Sequence, residues 1–558
     1  MSIKNTILTF FFIFSISFIS PIKASHTLGG EIFWECVGNG KYVFHVRAYR
    51  DCTGIPFQFQ NQTLTVTGSQ LPRDANNATI SSITVRHDVA RFNRLNAGDM
   101  SPSCGNASNT ISCQNNDQGA VQEIPYISDT LELRGTPPQN GWNFFYVFPC
   151  CRPNVTNLAI TGNQIFKATM YPYLNTPVDS CIDNSPRFAE IQEYFVCTDF
   201  SRNVDFSALD IDGDRISYHF DRTYNLPVSS PQAVPYAGNY SLNNPTVDSA
   251  TTFNFPAQLN SGSGLLSMDF FNPPSQVLDF MLVVRADAWR GNHRIASSYQ
   301  EIPLAAFNCP NLPNLNPNLP PVVSPPFYKG GTTFSFADTV TVGSLVNMNL
   351  QVLDTNTING AAQNIRIDLK GASLSRDLQN SALCTSPFDT LCATAFGTTQ
   401  FDSSKLSHYF SAVRSWNSMI SWQTDCDDLQ PDGTAKTHYF YVKVRDDFCP
   451  VPAVNTEVIA VTVLPDPVVC QNVATSLEEA PSFEPKIYPN PSNGLVFIET
   501  ISKERLNVQI FDLQGKMVQE EIVRGANNSV QLPQQKGIYL LKILNSKGES
   551  RSFKLIRD

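Results

Sequence analysis

Lys486-Ile487-Tyr488-Pro489-Asn490-Pro491-Ser492-Asn493-Gly494 opens the last stretch of the chain and decides how the rest is read. It is dense in turn chemistry, because proline pre-sets φ while Asn and Gly tolerate the left-handed region. Beyond it apolar residues alternate. Leu506, Val508 and Ile510 share one face, Ile538 and Leu540 keep the same period with Lys542, and Phe553 and Leu555 alternate near the end. Asp512-Leu513-Gln514-Gly515 reads as a hairpin turn, and Gly537 opens the next strand. Five to seven strands in about 70 residues predict a small β-sandwich near the lower size limit for an independent core.

Four motifs in order carry a resemblance. They are Tyr488-Pro489-Asn490-Pro491 with Gly494, Ile510 to Lys516 around Asp512 and Gly515, Gly537-Ile538-Tyr539, and Lys554-Leu555-Ile556. Together they resemble the C-terminal sorting domain (type A) of the type IX secretion system of the Bacteroidota, over about an eighth of the chain. The resemblance implies an address made of Tyr488, Pro489, Asn490, Pro491, Gly494, Asp512, Gly515, Gly537, Tyr539 and Lys554. It also implies the type IX machinery as partner, and a protein secreted or attached at the cell surface after periplasmic transit. It says nothing of what the body does.

The other end agrees. Lys4 is followed by an apolar run from Ile7 to Ile19, broken by Thr9, Ser15 and Ser17 and ended by Pro21, with Ala24 as a small residue for cleavage. This reads as a secretory signal peptide over 1–24, too short to cross about 30 Å of hydrocarbon.

Hydrophobic residues make up 42% and charged residues 16%, with 38 prolines, which favours many turns around real cores over disorder. Long helical periodicity is absent. The expected fold class is all-β, with tandem Ig-like β-sandwich domains ahead of the small C-terminal one. The net charge of −10 is unevenly placed, since the segment from Lys486 carries eleven Lys/Arg against seven Asp/Glu. An acidic body would repel phosphates, which argues against nucleic acid. The basic tail suits acidic lipopolysaccharide or a translocon, or simply guards edge strands.

Fourteen cysteines in an exported chain favour disulfides over metal or catalysis. The local pairs expected are Cys36 with Cys52, Cys104 with Cys113, Cys181 with Cys197, Cys384 with Cys392, and Cys426 with Cys449. Spacing alone leaves the connectivity open.

The body divides into an N-terminal β domain (25–175), a second sandwich (176–309), a Pro-rich linker (310–326), a third sandwich (327–464) and a second linker (465–485) ahead of 486–558. In the first, Glu31–Val37 and Lys41–Tyr49 flank Asn39-Gly40, a strong hairpin signal. In the second, Phe206 to Tyr218 contains Ala-x-Asp-x-Asp-Gly-Asp-x-Ile-x-Tyr. This resembles Ig-like and cadherin-like repeats of bacterial surface proteins, and the layout of the body resembles gliding-motility-associated adhesins. In the third, Leu345–Leu353, His438–Arg445 and Val458–Val463 read as strands. No internal repeat aligns in sequence.

Asp210, Asp212 and Asp214 stand at i, i+2 and i+4. Three carboxylates on one turn repel unless a hard cation neutralises them, so calcium is the candidate cofactor. The alternative is a solvated Asp/Gly turn. The stretch is not an EF-hand, because Gly213 is at the fourth loop position and Arg215 at the sixth. None of the seven histidines forms H-E-x-x-H, and there is no G-x-S-x-G elbow, P-loop or dinucleotide fingerprint. Trp34, Trp142, Trp289, Trp416 and Trp422 offer sugar-stacking surfaces, although core positions suit most of them better. The expectation is a non-catalytic structural or adhesive protein with an extracellular glycan or protein ligand. A polysaccharide-active enzyme with Asp/Glu catalysts, or a carbohydrate-binding protein, is the alternative.

Overall fold

The computed structural model describes residues 27–470 and 485–558, apart from internal stretches of which 102–110, 189–194, 247–254, 270–277, 308–317 and 384–392 are the longest. The expected signal peptide, Cys104, Cys384, Cys392, Gly515 and most of the two linkers lie outside the described residues. The chain is nearly all β and divides into two compact units, 1–470 and 471–558.

The first unit begins with the hairpin that Asn39-Gly40 signals: both take positive φ, 52° and 67°, between strands Thr27–Gly38 and Lys41–Asp51. A twelve-stranded sheet grows from it. Its path runs Thr27–Gly38, Lys41–Asp51, Val121–Ser128, Ser82–His87, Gln62–Thr67, Trp142–Cys151, Asn163–Met170, His293–Phe307, Leu278–Arg290 and Arg215–Phe220. The first strand also meets His293–Phe307, with Gly30 opposite Glu301, so the sheet curls back on itself. Ile32, Trp34, Phe44, Phe144, Tyr146 and Phe166 fill the enclosed core. The closure needs Gly29-Gly30. Gly29 has φ +136°, and a Cβ there would lie 1.9 Å from the Glu301 carbonyl oxygen; one on Gly30 would lie 2.3 Å from that of Arg47.

This closure corrects the expected boundary at residue 175. The long hairpin Leu278–Arg290/His293–Phe307, assigned by sequence to a second domain, completes the sheet of the first. Further along the same face of the hairpin, Phe280 and Leu304 join a second core, where Phe206, Tyr218 and Leu266 pack with the three-stranded sheet Ser201–Asp205, Leu265–Asp269, Phe255–Leu259.

From Val322 a sandwich follows, with a four-stranded sheet and a six-stranded sheet around Met348, Leu350, Ile367, Trp422, Val442 and Val461. Leu345–Leu353 alternates exposed and buried throughout, as its sequence demands. The Pro-rich linker ends earlier than expected. Val322–Ser324 is proline-free and pairs with Leu345–Leu353 as an edge strand, the one place in a sheet that proline neighbours allow. This sandwich is joined to the preceding part by the buried pair Asp205–Lys370 at 3.1 Å, by Tyr441 Oη donating to the Ser263 carbonyl at 2.7 Å, and by Asn203 Nδ2 donating to the Thr456 carbonyl at 3.1 Å.

The disulfides differ from the local pairs. Cys36 bonds Cys181, 145 residues away, not Cys52. The hairpin explains this: Cys36 sits opposite Tyr42 beside the turn, while Cys52 follows Asp51 at the far end, about 30 Å along the strand. Cys52 bonds Cys113, which removes the pair Cys104–Cys113. Cys181 is therefore not the partner of Cys197, which closes the strand Phe195–Cys197. Cys426 bonds Cys470, not Cys449, and Cys449 is bonded elsewhere.

The second unit is a seven-stranded sandwich of a three-stranded and a four-stranded sheet around Val496, Ile498, Val508, Ile510, Leu541 and Ile543. The motif residues hold it together. Asn490 clips the first loop to the last strand, donating to the Lys554 carbonyl at 2.8 Å and accepting from Ile556 N at 2.9 Å. The peptide bonds before Pro489 and Pro491 are cis. Gly494 has φ +119°, and a Cβ there would lie 2.8 Å from Gln531 Nε2. Asp512 Oδ1 accepts from Lys516 N at 2.9 Å, and Tyr539 Oη donates to the Gln535 carbonyl at 2.9 Å.

Candidate metal centre

Asp210 and Asp212 follow the short strand Ala208–Leu209, and Asp214 precedes Arg215–Phe220. Gly213, at φ +77°, lets the chain reverse. Asp210 Oδ1 accepts from the amides of Asp212 at 3.0 Å and Asp214 at 3.2 Å, which fixes the turn and occupies one of its oxygens. Its Oδ2 is buried without a hydrogen-bond partner.

The three acids then take different roles. Asp212 points outward and binds Asn184, through its backbone amide at 2.6 Å and its Nδ2 at 2.8 Å. Asp214 is gripped by Arg290, through Nε at 2.9 Å and Nη2 at 2.6 Å. The third member of the cluster is Asp183, which sequence reasoning did not assign to it. One oxygen each of Asp183, Asp210 and Asp214 lie within 4.8 Å of one another.

Asp183 is placed by its neighbours on the chain. The Cys36–Cys181 bridge brings the segment to the edge of Thr27–Gly38. Trp34 N donates to Ser185 Oγ at 2.8 Å, Cys36 N to Asn184 Oδ1 at 2.7 Å, and Trp34 Nε1 to the Asp183 carbonyl at 3.3 Å. The Asp183 carboxylate is left 4% exposed, with neither oxygen hydrogen-bonded; the nearest cation is Arg290 Nη2, 3.8 Å from Oδ1. The sequence signal was an acid two residues after a half-cystine, legible only once that cysteine's distant partner is known.

Burial, and then repulsion from Asp210, Asp212 and Asp214, pushes the Asp183 carboxyl well above the usual carboxylate range, with Arg290 opposing. Burial, then Asp214 and Asp212, does the same to Asp210. Burial tends to lower the Arg290 guanidinium, but its hydrogen bond to Asp214 and the surrounding carboxylates raise it overall. An all-oxygen, negatively charged pocket of this kind suits a hard divalent cation.

The third sandwich contains a similar turn. Asp354 Oδ1 accepts from Asn356 N at 2.8 Å, as Asp210 does from Asp212. Asn356 then secures an arriving segment, donating to the Leu319 carbonyl at 2.6 Å and accepting from Leu319 N at 3.2 Å. Here the buried acids Asp354 and Asp446 flank the side-chain amide of Gln363. With its nitrogen turned toward them, it donates to Asp354 Oδ2 at 2.8 Å and Asp446 Oδ2 at 3.2 Å. In that orientation the Gln363 carbonyl faces the Asn318 amide, whose other end lies 2.6 Å from Asp446 Oδ2. Burial pushes Asp446 up to about 7 and raises Asp354.

Three other buried acids are held by arginines: Glu31 lies 3.1 Å from Arg47, Glu301 lies 2.9 Å from Arg152, and Glu123 takes both arms of Arg91; among the described residues, buried Asp428 has no arginine and an unpartnered Oδ1. His45 stacks on Phe33, with ring centroids 4.6 Å apart. Trp34, Trp142 and Trp422 are core residues, not sugar platforms; Trp289 and Trp416 are half-buried.

Among known proteins, residues 486–557 match the family model described as a secretion system C-terminal sorting domain. No curated protein matches the chain. Among solved structures, the periplasmic chaperone SfaE is 14% identical, over 42% of this chain and 98% of that one, with a TM-score of 0.15. Titin domains A168–A170 are 10% identical, over 67% and 99%, with a TM-score of 0.15. Latent PorU from Porphyromonas gingivalis is 10% identical, over 88% and 41%, with a TM-score of 0.13. Scores this low carry no argument about fold or function. No helix among the described residues is long and apolar enough to cross a membrane. The sorting-domain match, on a folded unit whose motif residues form its turns and clips, makes this chain a type IX secretion substrate, secreted or displayed at the cell surface.

Proposed function

We propose that the body is a non-catalytic structural or adhesive element, delivered by the type IX machinery through its C-terminal domain. The observation that carries the export half is the match of residues 486–557 on a separately folded unit. The body reading is supported by its construction. One curled sheet draws its strands from both ends of a 280-residue span, 27–307, and disulfides join residues 145, 61 and 44 positions apart. Such cross-linking suits a protein that keeps its shape outside the cell. Its partner is an extracellular glycan or protein, with lipopolysaccharide a further contact for the basic tail. The gliding-adhesin resemblance points the same way.

Removing Lys486–Asp558 should leave a folded body trapped in the periplasm; normal surface delivery of the truncated chain would refute the export reading. The mature body should bind on an array of glycans and matrix proteins without releasing sugar from them. Release of reducing ends would replace the adhesive reading with the polysaccharide-active one.

A further inference from the structure

We infer that Asp183, Asp210 and Asp214 together bind one Ca²⁺, which fastens the segment after Cys181 onto the Asp210–Asp214 turn, with Asp212 outside the coordination shell. This differs from the ligand set that the Asp-x-Asp-Gly-Asp spacing alone suggests, and it does not depend on what the body binds.

Three observations carry it. Oxygens from the three carboxylates lie within 4.8 Å of one another, and oxygens on opposite sides of one Ca²⁺ stand about 5 Å apart. Asp183 is 4% exposed with both oxygens lacking a hydrogen bond, and Asp210 Oδ2 is likewise buried and unpartnered. A buried carboxylate without a donor carries a large desolvation penalty, which a proton or a bound cation removes. Arg290 does not remove it. Its fork is committed to Asp214, its Nη1 donates to the Ile182 carbonyl at 2.7 Å, and it stays 3.8 Å from Asp183.

The third sandwich supplies the internal control. Its similar turn places a neutral amide, Gln363, between the facing acids. In the first cluster no side-chain amide among the described residues donates to Asp183 or to Asp210 Oδ2. Calcium fits better than magnesium because it accepts irregular carboxylate sets completed by water, whereas magnesium demands near-ideal octahedra. Extracellular modules bind Ca²⁺ with Kd of roughly 10⁻⁴–10⁻³ M, within reach of a secreted protein.

The test uses the full mature chain, stripped with chelator and titrated with CaCl₂ by calorimetry, with melting followed in parallel. The wild type should take up one Ca²⁺ per chain at this site, and its melting midpoint should rise by several degrees. Asp183→Asn should lower affinity at least ~10-fold and should raise the midpoint of the metal-free protein, because it removes the buried charge. Asp212→Asn should keep affinity within about threefold, since that side chain faces Asn184. No calcium uptake by the wild type at about 5 mM would overturn the inference, well above the expected Kd. So would wild-type affinity in Asp183→Asn, an equal loss in Asp212→Asn, or an equal response to Mg²⁺. If Asp183→Asn does not fold, Asp210→Asn takes its place with the same expectations for affinity, and uptake by the wild type still decides.

Discussion

The turn at Asp210–Asp214 and the turn at Asp354–Asn356 begin alike and end differently. In both, an aspartate oxygen accepts the amide two residues on, and the residue at that position secures a segment arriving from upstream. In the third sandwich the charge problem is solved from within, by the Gln363 amide. In the N-terminal part it is left open: Arg290 meets three of four carboxylates, Lys436 reaches Asp210 and Asp214 only through longer-range attraction, and the most buried acid has no donor. A shared backbone device can therefore be a finished hydrogen-bond network in one place and a demand for a cation in another. The difference rests on whether position 183 or 318 is an acid or an amide, and on what faces it.

The largest test of this contrast lies in how the two arriving segments are anchored. Asp183 follows Cys181 by two residues, and the Cys36–Cys181 bridge spans 145 residues. In the chain-entropy model a loop of that size is worth about 5 kcal/mol. Cys36→Ser and Cys181→Ser should each cost close to that in denaturant unfolding, and the double variant little more. Each should also weaken calcium uptake, because Asp183 loses its anchor. Cys36→Ser with Cys52→Ser should add, since those cysteines belong to different bridges. A double Cys36/Cys181 variant much worse than either single would break the pairing.

The next effect belongs to the other side of the comparison. Gln363→Ala leaves Asp354 and Asp446 facing each other without the amide between them. Removing a donor shared by two buried acids should destabilise the third sandwich by about 2–4 kcal/mol near neutral pH. The loss should shrink as pH falls toward 5. The folded pKa of Asp446 is raised to about 7, so the native state holds a proton there that the unfolded chain has released above about 4. Stability linked to that proton is full below the unfolded value and is lost as pH rises through 7. A cost below about 1 kcal/mol at pH 7 would mean that the amide is not what separates the two turns.

Local order was legible in the sequence, and long-range pairing was not. Strands such as Gln62–Thr67 and Leu345–Leu353 follow from alternation, and the Asn39-Gly40 hairpin from turn chemistry. The C-terminal sandwich and its address were readable because their motifs are local. The curled sheet was hidden, because nothing near Asn163–Met170 announces that its neighbour lies 130 residues downstream. The disulfides failed for the same reason: close spacing favours local pairs, but a hairpin carries Cys36 and Cys52 to opposite ends. At the metal centre, the spacing of Asp210, Asp212 and Asp214 located the turn but not its geometry. Alternation around Gly213 sends Asp212 outward, and the third inward acid comes from a segment that only the Cys36–Cys181 bridge brings near. The likeness to Asp354–Asn356 lies in hydrogen bonds, which leave little trace in an alignment.

The smallest effect gives the sharpest comparison. Asn184→Ala removes the Nδ2 donor to Asp212 and the acceptor for Cys36 N, but keeps the backbone bond to Asp212. Asn356→Ala removes both contacts to Leu319 and one to Asp354. Both sites are partly open to solvent, so each change should cost about 1 kcal/mol in metal-free protein. Their response to calcium should differ. Once an ion ties Asp183 to the turn, the neighbouring Asn184 clip is partly redundant, and the cost of its loss should fall. The cost of Asn356→Ala should not move, because the third sandwich already has its amide. The measurement is a cycle, each variant against wild type with and without calcium, in which the interaction energy is the quantity read. Equal calcium dependence at Asn184 and Asn356 would mean that the ion acts on the whole unit and not at Asp183. No dependence at Asn184 would mean that the arriving segment is held by the disulfide alone.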